Sequence, residues 1–359
     1  MIVTFVYPAE SENWESIEWR CHVPAAAINR TGVHKANVIT DIDFSYNSDE
    51  CITTCLESDV IVIYKKIYGR VISAIHHWQA RDKIIVVDFD EAFQLLDHES
   101  DQYKFWFEGI QYTKDHNLKY ISPAPMTQFK WGLKLVDGIT VSSDRLADDW
   151  MSFNEIGVIH DYINVDSYIA VNKKRKNGDL IFGWHGKNLM LETMLQAGTL
   201  EALNVILDTF PDITARFYVD DQLVLDSALL KREQILIIED VTKSIWLEAL
   251  TEIDIGILPL ISNFDQRKSL RTVLEYLVMK IPWLASQNSI YYDIESYGQL
   301  VLNTKAEWEQ KLKEIIHNYD IHKSNAAQEP FLFGLGKSAD ENIHRSINLY
   351  KKFIAAKWR

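Results

Sequence analysis

The chain has 359 residues, of which 47% are hydrophobic and 25% are charged, and its formal net charge is -14 at pH 7. This length exceeds what one hydrophobic core usually supports, so we expect two domains, and the ordinary composition excludes a largely disordered chain. The negative charge argues against nucleic acid or an anionic lipid surface as a partner. No apolar run approaches the ~18 residues of a membrane span, and no secretory leader is recognisable at the start of the chain. We therefore expect a cytoplasmic protein without an integral membrane segment.

The first half of the chain alternates short runs rich in Val and Ile with amphipathic stretches. This alternation is typical of parallel strands joined by helices. The predicted strands are residues 2–7, 36–40, 59–64, 83–87, 138–142 and 157–160, and the predicted helices are residues 17–29, 71–80, 128–135 and 145–153. We assign residues 1–165 to an N-terminal Rossmann-like domain and the polar, lysine-rich residues 166–178 to a linker.

A second series of the same kind follows the linker and defines a C-terminal Rossmann-like domain over residues 179–335. Thr242 and Ser269 stand where helix N-caps belong, because a hydroxyl can accept from an amide of the first turn. The predicted strands are residues 180–185, 214–219, 234–238, 254–260, 281–285 and 300–303, and the predicted helices are residues 192–210, 243–250, 270–279 and 305–319.

The end of the chain, residues 336–359, is predicted to form an amphipathic helix. Apolar residues recur there at spacings of four, three and four, at Ile343, Ile347, Tyr350 and Ile354. A loop around Pro330, Gly334 and Gly336 precedes this helix and would let it pack back on the first domain.

Several cofactor and metal motifs are absent from the sequence. Neither a Gly-x-Gly-x-x-Gly turn after the first strand of a domain nor a P-loop occurs, which argues against a nicotinamide cofactor. Cys21, Cys51 and Cys55 lack the spacing of a zinc site, so we expect free thiols. The run from Asp88 to Asp90 is similar to the metal-binding Asp-x-Asp of one transferase class, but that class uses a single nucleotide-binding domain. We predict neither a metal nor another cofactor.

The most informative segment is residues 254–279, a buried strand followed by a loop and a helix. Arg267 and Lys268 stand at the start of the helix, at the carboxyl end of a strand, where α/β sheets place ligands. The amides and dipole of a helix N-terminus, together with these two cations, suit a diphosphate. Glu275 lies two turns further along the same helix face, where it could accept from ribose hydroxyls. The alternative is a carboxylate satisfied by backbone amides or by an arginine.

Residues 254–286 resemble the donor-site region of GT-B glycosyltransferases, especially those of glycosyltransferase family 4. The counterparts of the family pattern are Pro259, Lys268 with Ser269, Arg271, Glu275 to Leu277, and residues 282–286. Residues 86–90, 135–147, 158–164 and 181–186 also resemble family segments, in the right order. The chain departs from the pattern at Arg267, where the family commonly has Glu, and at Asp161, where it has Asn.

This resemblance implies a GT-B fold, in which two Rossmann-like, doubly wound domains face each other across a cleft and a C-terminal helix packs back on the N-terminal domain. It also implies a hexosyltransferase that takes a sugar from a UDP or GDP donor, retains its anomeric configuration and needs no metal. Expected partners are the nucleotide-sugar donor and a glycan, lipid-linked or small-molecule acceptor, with a homodimer as a possibility. The alternatives are a non-catalytic GT-B module that binds nucleotide-sugar or glycan and acts with a partner, and another GT-B enzyme such as an epimerase or a phosphorylase.

The candidate site residues come from both domains. Positive groups would stabilise the leaving diphosphate, and an inverting reaction would instead need a base from the first domain. Trp14 and Trp19 lie where an acceptor could stack. The predicted catalytic residues are Arg267, Lys268, Asp88 and Asp90, and the predicted substrate-binding residues are Lys187, Gly186, Asp240, Val241, Ser269, Leu270, Arg271, Glu275 and His160.

Overall fold

The computed structural model describes residues 1–9, 14–112, 117–171, 180–220 and 227–358. Two six-stranded sheets, parallel throughout, form the centres of two domains, and a short antiparallel hairpin is attached to the first. This arrangement confirms the predicted pair of Rossmann-like, doubly wound domains.

The first sheet has the strand order β2-β1-β3-β4-β7-β8. Its central strands β3 and β4 are buried along their whole length, as expected for parallel strands covered by helices on both faces. The strands of this domain are β1 (Ile2–Tyr7), β2 (Lys35–Thr40), β3 (Val60–Tyr64), β4 (Ile84–Phe89), β5 (Ile110–Tyr112), β6 (Leu118–Tyr120), β7 (Gly138–Val141) and β8 (Ile156–Val158).

Each of the four helices predicted for the first domain has an observed counterpart, whereas the helices at Asp41–Tyr46, Asp49–Glu57 and Asp101–Tyr103 were not predicted. The stretch predicted as one helix, residues 17–29, instead runs from α1 through a π-helical turn at Glu18–His22 into α2. The helices are α1 (Trp14–Ile17), α2 (Val23–Arg30), α3 (Asp41–Tyr46), α4 (Asp49–Glu57), α5 (Arg70–Gln79), α6 (Asp101–Tyr103), α7 (Pro125–Leu135) and α8 (Asp144–Trp150), with a second π-helical turn at Lys104–Glu108 and a 3-10 turn at Phe93–Leu95.

The second sheet has the strand order β11-β10-β9-β12-β13-β14. The chain adds β10 and β11 on one side of β9 and then β12, β13 and β14 on its other side, so the strand order reverses between β9 and β12. Ligands of such sheets bind at the carboxyl ends of the strands beside this reversal. The ring of Tyr276 packs directly against Gly256 in β12, where a Cβ atom would lie 2.3 Å from a ring carbon. The strands are β9 (Ile181–Gly186), β10 (Thr214–Val219), β11 (Ile235–Ile238), β12 (Ile255–Leu258), β13 (Trp283–Ser286) and β14 (Gln299–Val301).

Helices cover both faces of the second sheet and continue to the end of the chain. They are α9 (Val165–Ile169), α10 (Asn188–Gln196), α11 (Thr199–Thr209), α12 (Lys243–Ala249), α13 (Arg271–Val278), α14 (Lys305–His317), α15 (Tyr319–Ala326), α16 (Glu329–Leu335) and α17 (Ala339–Lys357). Shorter 3-10 segments lie at Ala228–Leu230, Asp265–Arg267 and Ser289–Tyr297.

Three local predictions for the second domain were wrong. The helix predicted over residues 192–210 is divided into α10 and α11, because Gly198 adopts a φ of 73°, which no helix accommodates. Ser269 does not cap α13, since Leu270 occupies the N-cap position and no side chain caps it. The loop expected around Pro330 is helix α16, with the proline in its first turn, where a missing N–H costs nothing. The predicted N-cap at Thr242 is confirmed, because its side chain accepts from the amide of Ile245.

The final helix, α17, returns to the first domain, as predicted. Its buried face includes Ile343, Ile347 and Tyr350 and joins the core beneath the first sheet, and the ring of Phe353 lies against Gly138 of β7. This packing buries an apolar stripe of the kind that drives helix docking.

The chain passes between the domains at two neighbouring points. The amide of Ile163 donates to the carbonyl of Lys337 at 3.0 Å, and the amide of Ala339 donates to the carbonyl of Ile163 at 2.8 Å. These bonds place Ile163 and Ser338 side by side as a parallel β-bridge. In the sequence, all strands of the first sheet precede the predicted linker, residues 166–178, and all strands of the second sheet follow it. Residues 172–178 of this linker fall outside the described residues. The division at residues 165, 178 and 335 stays a proposal.

Within the described ranges, no helix combines the length and apolar character that crossing a membrane requires. In the same ranges, no group of three or more His, Cys, Asp or Glu side chains is arranged to hold a metal ion.

Candidate functional site

The carboxyl ends of the two sheets meet across the cleft between the domains. Asp88 and Asp90 lie at the end of β4 in the first domain, and Arg271 begins α13 in the second. A hydrogen bond of 2.8 Å from Arg271 Nη2 to Asp90 Oδ2 joins the two edges. The candidate site is therefore the region where these edges contact each other.

Arg20, in the π-helical turn after α1, is the centre of a buried ion-pair cluster on the first-domain side. Its guanidinium donates to both oxygens of Asp88, at 2.8 and 2.5 Å, and to Asp161 Oδ1 at 2.9 Å. Thr140 also donates to Asp88, at 2.6 Å. Burial alone would lower the pKa of Arg20, but Asp88 and Asp161 raise it well above its ordinary value. Asp88, predicted to be catalytic, thus has both oxygens engaged within the protein.

Arg271 links this cluster to the second domain. Besides Asp90, its guanidinium donates to Asp161 Oδ2 at 3.4 Å and lies 3.6 Å from Glu15 Oε2. Ser269 donates to the same oxygen of Asp161 at 2.5 Å. Ser269 and Arg271, both predicted to bind substrate, thus contact the carboxylate of Asp161 instead. Asp161 stands where the pattern that the sequence resembles has Asn.

Asp90 is held ionised by cations from both domains. Lys65 Nζ lies 2.8 Å from Asp90 Oδ1, and the hydroxyl of Tyr64 donates to the same oxygen at 2.7 Å. Burial would raise the pKa of Asp90, but Lys65 and Arg271 hold it far below its ordinary value. Lys65 has a φ of 57°, a strained conformation for a residue with a side chain, which places its ammonium between Asp90 and Glu91.

Arg267 and Lys268 are not in this cluster. Arg267 donates to both oxygens of Asp149 in α8 of the first domain, at 2.8 and 3.1 Å, and its carbonyl accepts from Ser143 at 2.8 Å. Lys268 pairs with Asp265 of its own loop at 2.8 Å. Both predicted catalytic cations are thus paired with carboxylates, and their predicted roles stay predictions.

Glu275 is fully buried within α13, and protein groups occupy both of its oxygens. The hydroxyl of Tyr168 donates to Oε1 at 2.6 Å and Nε1 of Trp246 donates to Oε2 at 2.9 Å. Burial, reinforced by the negative charge of Glu15, raises the pKa of Glu275 from 4.5 to about 7. The carboxylate is satisfied within the protein, by a phenol and an indole rather than by amides or an arginine. Its contact with a ribose stays a prediction.

Three aromatic side chains are stacked beside Glu275. The rings of His185 and Trp246 lie 4.5 Å apart at 27°, and the ring of Trp14 of the first domain lies 6.0 Å from that of His185 at 24°. Nε2 of His185 lies 2.7 Å from Asp220 Oδ1. Burial would lower the pKa of His185, but the bond to Asp220 and the charge of Glu15 raise it above its ordinary value.

Of the remaining predicted residues, Gly186 and Val241 adjoin members of this stack. Gly186 ends β9 directly after His185, and Lys187 follows it at the N-cap of α10. The carbonyl of Val241 accepts from Nε1 of Trp14 at 2.7 Å. Asp240 is exposed, with a φ of 52°, and Leu270 is half-buried at the N-cap of α13. His160 is exposed, and its Nδ1 lies 3.3 Å from the carbonyl of Ser142.

Sequence reasoning missed the aromatic and polar residues that complete this region. Tyr168, His185 and Trp246 were not among the candidates, although His185 ends a predicted strand and Trp246 lies on a predicted helix. The usable signal was a polar residue at a strand's carboxyl end, which applies to His185 at β9. For Tyr168 and Trp246 no such signal exists, because buried aromatic residues on helices are usually core residues.

Two small cavities border the cleft. One, of about 20 Å³, is lined by Arg20, Asp88, His160 and Tyr162 among others, and one of about 10 Å³ lies beside Trp14. Each accommodates about one water molecule, whereas small-molecule sites typically measure several hundred Å³. The two facing edges also contact each other directly, as in the hydrogen bond from Arg271 to Asp90.

Comparisons with known proteins identify the fold. No protein-family profile matches the chain, and no curated protein matches it in sequence. Solved structures match nearly its whole length. An α-glucosyltransferase in complex with UDP and a 13-mer DNA containing an HMU base has 12% identity and a TM-score of 0.64, with 98% of this chain and 99% of that chain covered.

HepE of Anabaena, in complex with UDP and glucose, has 10% identity and a TM-score of 0.62, with 96% of this chain and 99% of that chain covered. A UDP-N-acetylglucosamine 2-epimerase has 11% identity and a TM-score of 0.55, with 100% and 97% covered. At such identities the likeness establishes architecture. The chain has the GT-B fold, with its C-terminal helix on the N-terminal domain.

Proposed function

We propose that the chain is a GT-B glycosyltransferase whose second domain holds a nucleotide-sugar donor and whose first domain holds the acceptor hydroxyl. One observation carries this proposal. The carboxyl edge of the second sheet brings together a stacking ring, His185, and the main-chain carbonyl of Val241. A buried carboxylate, Glu275, lies on the helix that follows the loop of Arg267 and Lys268. The base of a nucleotide can stack on the ring and donate to the carbonyl, its ribose hydroxyls can donate to the carboxylate, and its diphosphate can pair with the two cations.

The donor's diphosphate would be bound by the loop before α13. Cleavage of a sugar-phosphate bond places negative charge on the leaving diphosphate, and preorganised cations stabilise that charge in the transition state. Arg267 and Lys268 are the cations at the end of this loop, and Lys187, directly after β9, is a third. To act on a diphosphate, Arg267 must leave Asp149 and Lys268 must leave Asp265, so donor binding would exchange these carboxylates for phosphate oxygens.

The resemblance to family 4 implies retention of configuration, with the leaving phosphate taking the acceptor's proton. The first domain supports this mechanism because its carboxylates are already engaged. Asp88 accepts from Arg20 and Thr140, and the pKa of Asp90 is held far below its ordinary value by neighbouring cations. A carboxylate with a depressed pKa is a weak general base. Asp88 and Asp90 would then orient Arg20 and Arg271 rather than remove a proton.

A second candidate function is the epimerisation of a nucleotide-sugar, which the structural match to a UDP-N-acetylglucosamine 2-epimerase favours. The same donor site would bind the substrate, and the sugar would change its stereochemistry without transfer to an acceptor. The products separate the two functions.

The experiment is incubation of the purified protein with UDP-, GDP- and ADP-sugars, with thermal unfolding and product analysis in parallel. A ligand at 100 times its Kd stabilises the folded state by about 2.7 kcal/mol. Slow release of free nucleoside diphosphate supports the transferase, and an epimerised nucleotide-sugar supports the second candidate. Stabilisation without turnover indicates a non-catalytic binding module. The absence of any stabilisation or turnover contradicts all three.

Substitution of Lys268 tests the proposed diphosphate contact. We expect Lys268→Ala to lower kcat by about 100- to 1000-fold, the range seen when one donor to a developing anion is removed. Lys323→Ala, on α15 of the same domain, is the matched control and leaves turnover unchanged. Wild-type turnover in Lys268→Ala would contradict this role.

A further inference from the structure

The position of Trp14 in the cleft has the character of a bound ligand. The residue belongs to α1 of the first domain, yet its ring stacks on His185 of the second, 6.0 Å away at 24°. Its Nε1 donates to the carbonyl of Val241 at 2.7 Å. A planar heterocycle that stacks on one face and donates an N–H to a main-chain carbonyl is the recognition chemistry of a nucleobase. It lies at the carboxyl edge where a sheet of this topology binds ligands.

The carboxylates near Trp14 extend this likeness. The next residue, Glu15, lies 3.6 Å from Nη1 of Arg271. Arg271 also contacts Asp90 and Asp161, and Arg267 pairs with Asp149. In each of these pairs the second domain supplies the cation and the first domain the carboxylate.

A third cation of the second domain follows the same rule. Lys243, at the start of α12, pairs with Glu18 at 2.5 Å. The first domain therefore presents to the second domain an aromatic N–H group and several negative charges. An anionic nucleotide has the same combination of a base and phosphates.

We propose that the first domain occupies the donor site of the second in this structure, with Trp14 in the place of a nucleobase and the carboxylates of Glu15 and Glu18, on the same segment, in the place of the phosphates. The inference rests on the proposed function, since it identifies the displaced ligand as a nucleotide. A nucleotide binds only after Trp14 withdraws, so the apparent affinity is lowered by the fraction of molecules in which the site is free.

The rival interpretation makes the opposite prediction. If Trp14 is a permanent wall of the site on which a base or an acceptor stacks, its removal deletes a contact and weakens binding. If Trp14 occupies the site, its removal frees the site and strengthens binding. The sign of the change in affinity therefore separates the two interpretations.

The experiment compares wild-type protein with Trp14→Ala and Trp14→Phe. UDP and GDP binding is measured by calorimetry, and indole and benzofuran binding by thermal unfolding. Benzofuran has the shape of indole but no N–H. We expect nucleotide Kd to fall by about tenfold in Trp14→Ala, and by less in Trp14→Phe, which keeps a stacking ring. Indole should stabilise Trp14→Ala more than benzofuran does and leave the wild type unaffected. Trp131→Ala, a change at an exposed tryptophan of α7, is the control and leaves all four ligands' binding unchanged.

Each outcome bears on a separate statement. Equal or weaker nucleotide binding in Trp14→Ala overturns the occupancy of the donor site while leaving the proposed function intact. Failure of indole to bind Trp14→Ala overturns the assignment of a ring site between His185 and Val241. If indole binds but neither protein binds UDP or GDP, the proposed function fails and the displaced ligand is not a nucleotide.

Discussion

Replacement of Glu275 by glutamine tests the electrostatics of the second domain's core. The carboxyl is fully buried, and burial raises its pKa from 4.5 to about 7. Glutamine has the same shape and no charge. Its amide can accept from Trp246 and donate to the hydroxyl of Tyr168, so both hydrogen bonds of Glu275 have a counterpart.

The sign and size of the effect follow from proton linkage. Between pH 4.5 and about 7 the unfolded chain releases the proton of Glu275 while the folded protein retains it, so stability falls as pH rises. A shift of about 2.5 pKa units corresponds to about 3 kcal/mol, at 1.36 kcal/mol per unit. His185 contributes in the same direction, because its folded pKa is also raised and the stability it adds is lost as pH rises through that value. Each of these two groups shifts the pKa of the other, so the difference between variant and wild type includes the change in His185 that the loss of the Glu275 charge causes.

The measurement is urea unfolding of Glu275→Gln and wild type at pH 5, 6, 7 and 8, followed by circular dichroism. We expect the two proteins to differ little at pH 5 and the variant to be more stable by about 2 to 3 kcal/mol at pH 8. Glu57→Gln, at an exposed carboxylate ending α4, is the control and should show no such pH-dependent gain. A variant less stable than wild type at pH 8, or a difference that does not change with pH, would refute the reasoning.

Two further substitutions test the packing and the buried ion pairs. Gly256→Ala would place a Cβ atom 2.3 Å from the ring of Tyr276, so we expect a loss of about 1 to 3 kcal/mol in urea unfolding; wild-type stability would show that the ring can move aside. Arg20→Met would leave the carboxylates of Asp88 and Asp161 buried without their shared cation, so we expect the free energy of unfolding to fall by about 3 to 5 kcal/mol at pH 7. This loss of stability should shrink at low pH as the carboxylates protonate, whereas a loss independent of pH would point to packing instead.

The sheets could be predicted from the sequence because their strands are buried on both faces. Such strands appear as uninterrupted runs of Val and Ile, as in β3 and β4, and the sequence pattern placed all twelve sheet strands within a few residues. The hairpin of β5 and β6 was missed, since each strand has three residues and β6 is exposed along its whole length. The break at Gly198 was missed because one glycine inside an apolar, helical pattern is compatible with an unbroken helix.

The candidate site could be predicted only where its geometry is local. The loop before α13 and the position of Glu275 on that helix follow from neighbouring residues, and the structure has them there. The residues that form hydrogen bonds across the cleft could not be predicted in this way, because Ser269 and Asp161 are 108 residues apart in the chain, and Trp14 and Val241 are 227 apart. No pattern in one sequence indicates that Arg271 meets three carboxylates of the other domain.

The side-by-side passage of the chain at Ile163 and Ser338 determines how the two domains can move. Two connections joined by hydrogen bonds act as a single pivot, so the domains can rotate about it but cannot slide past each other without breaking those bonds. Displacement in a rotation grows with distance from the axis. Asp161 is two residues from the pivot, so its contacts with Ser269 and Arg271 would change least as the cleft opens. Those contacts would keep the two halves in register, so that each closure restores the same alignment.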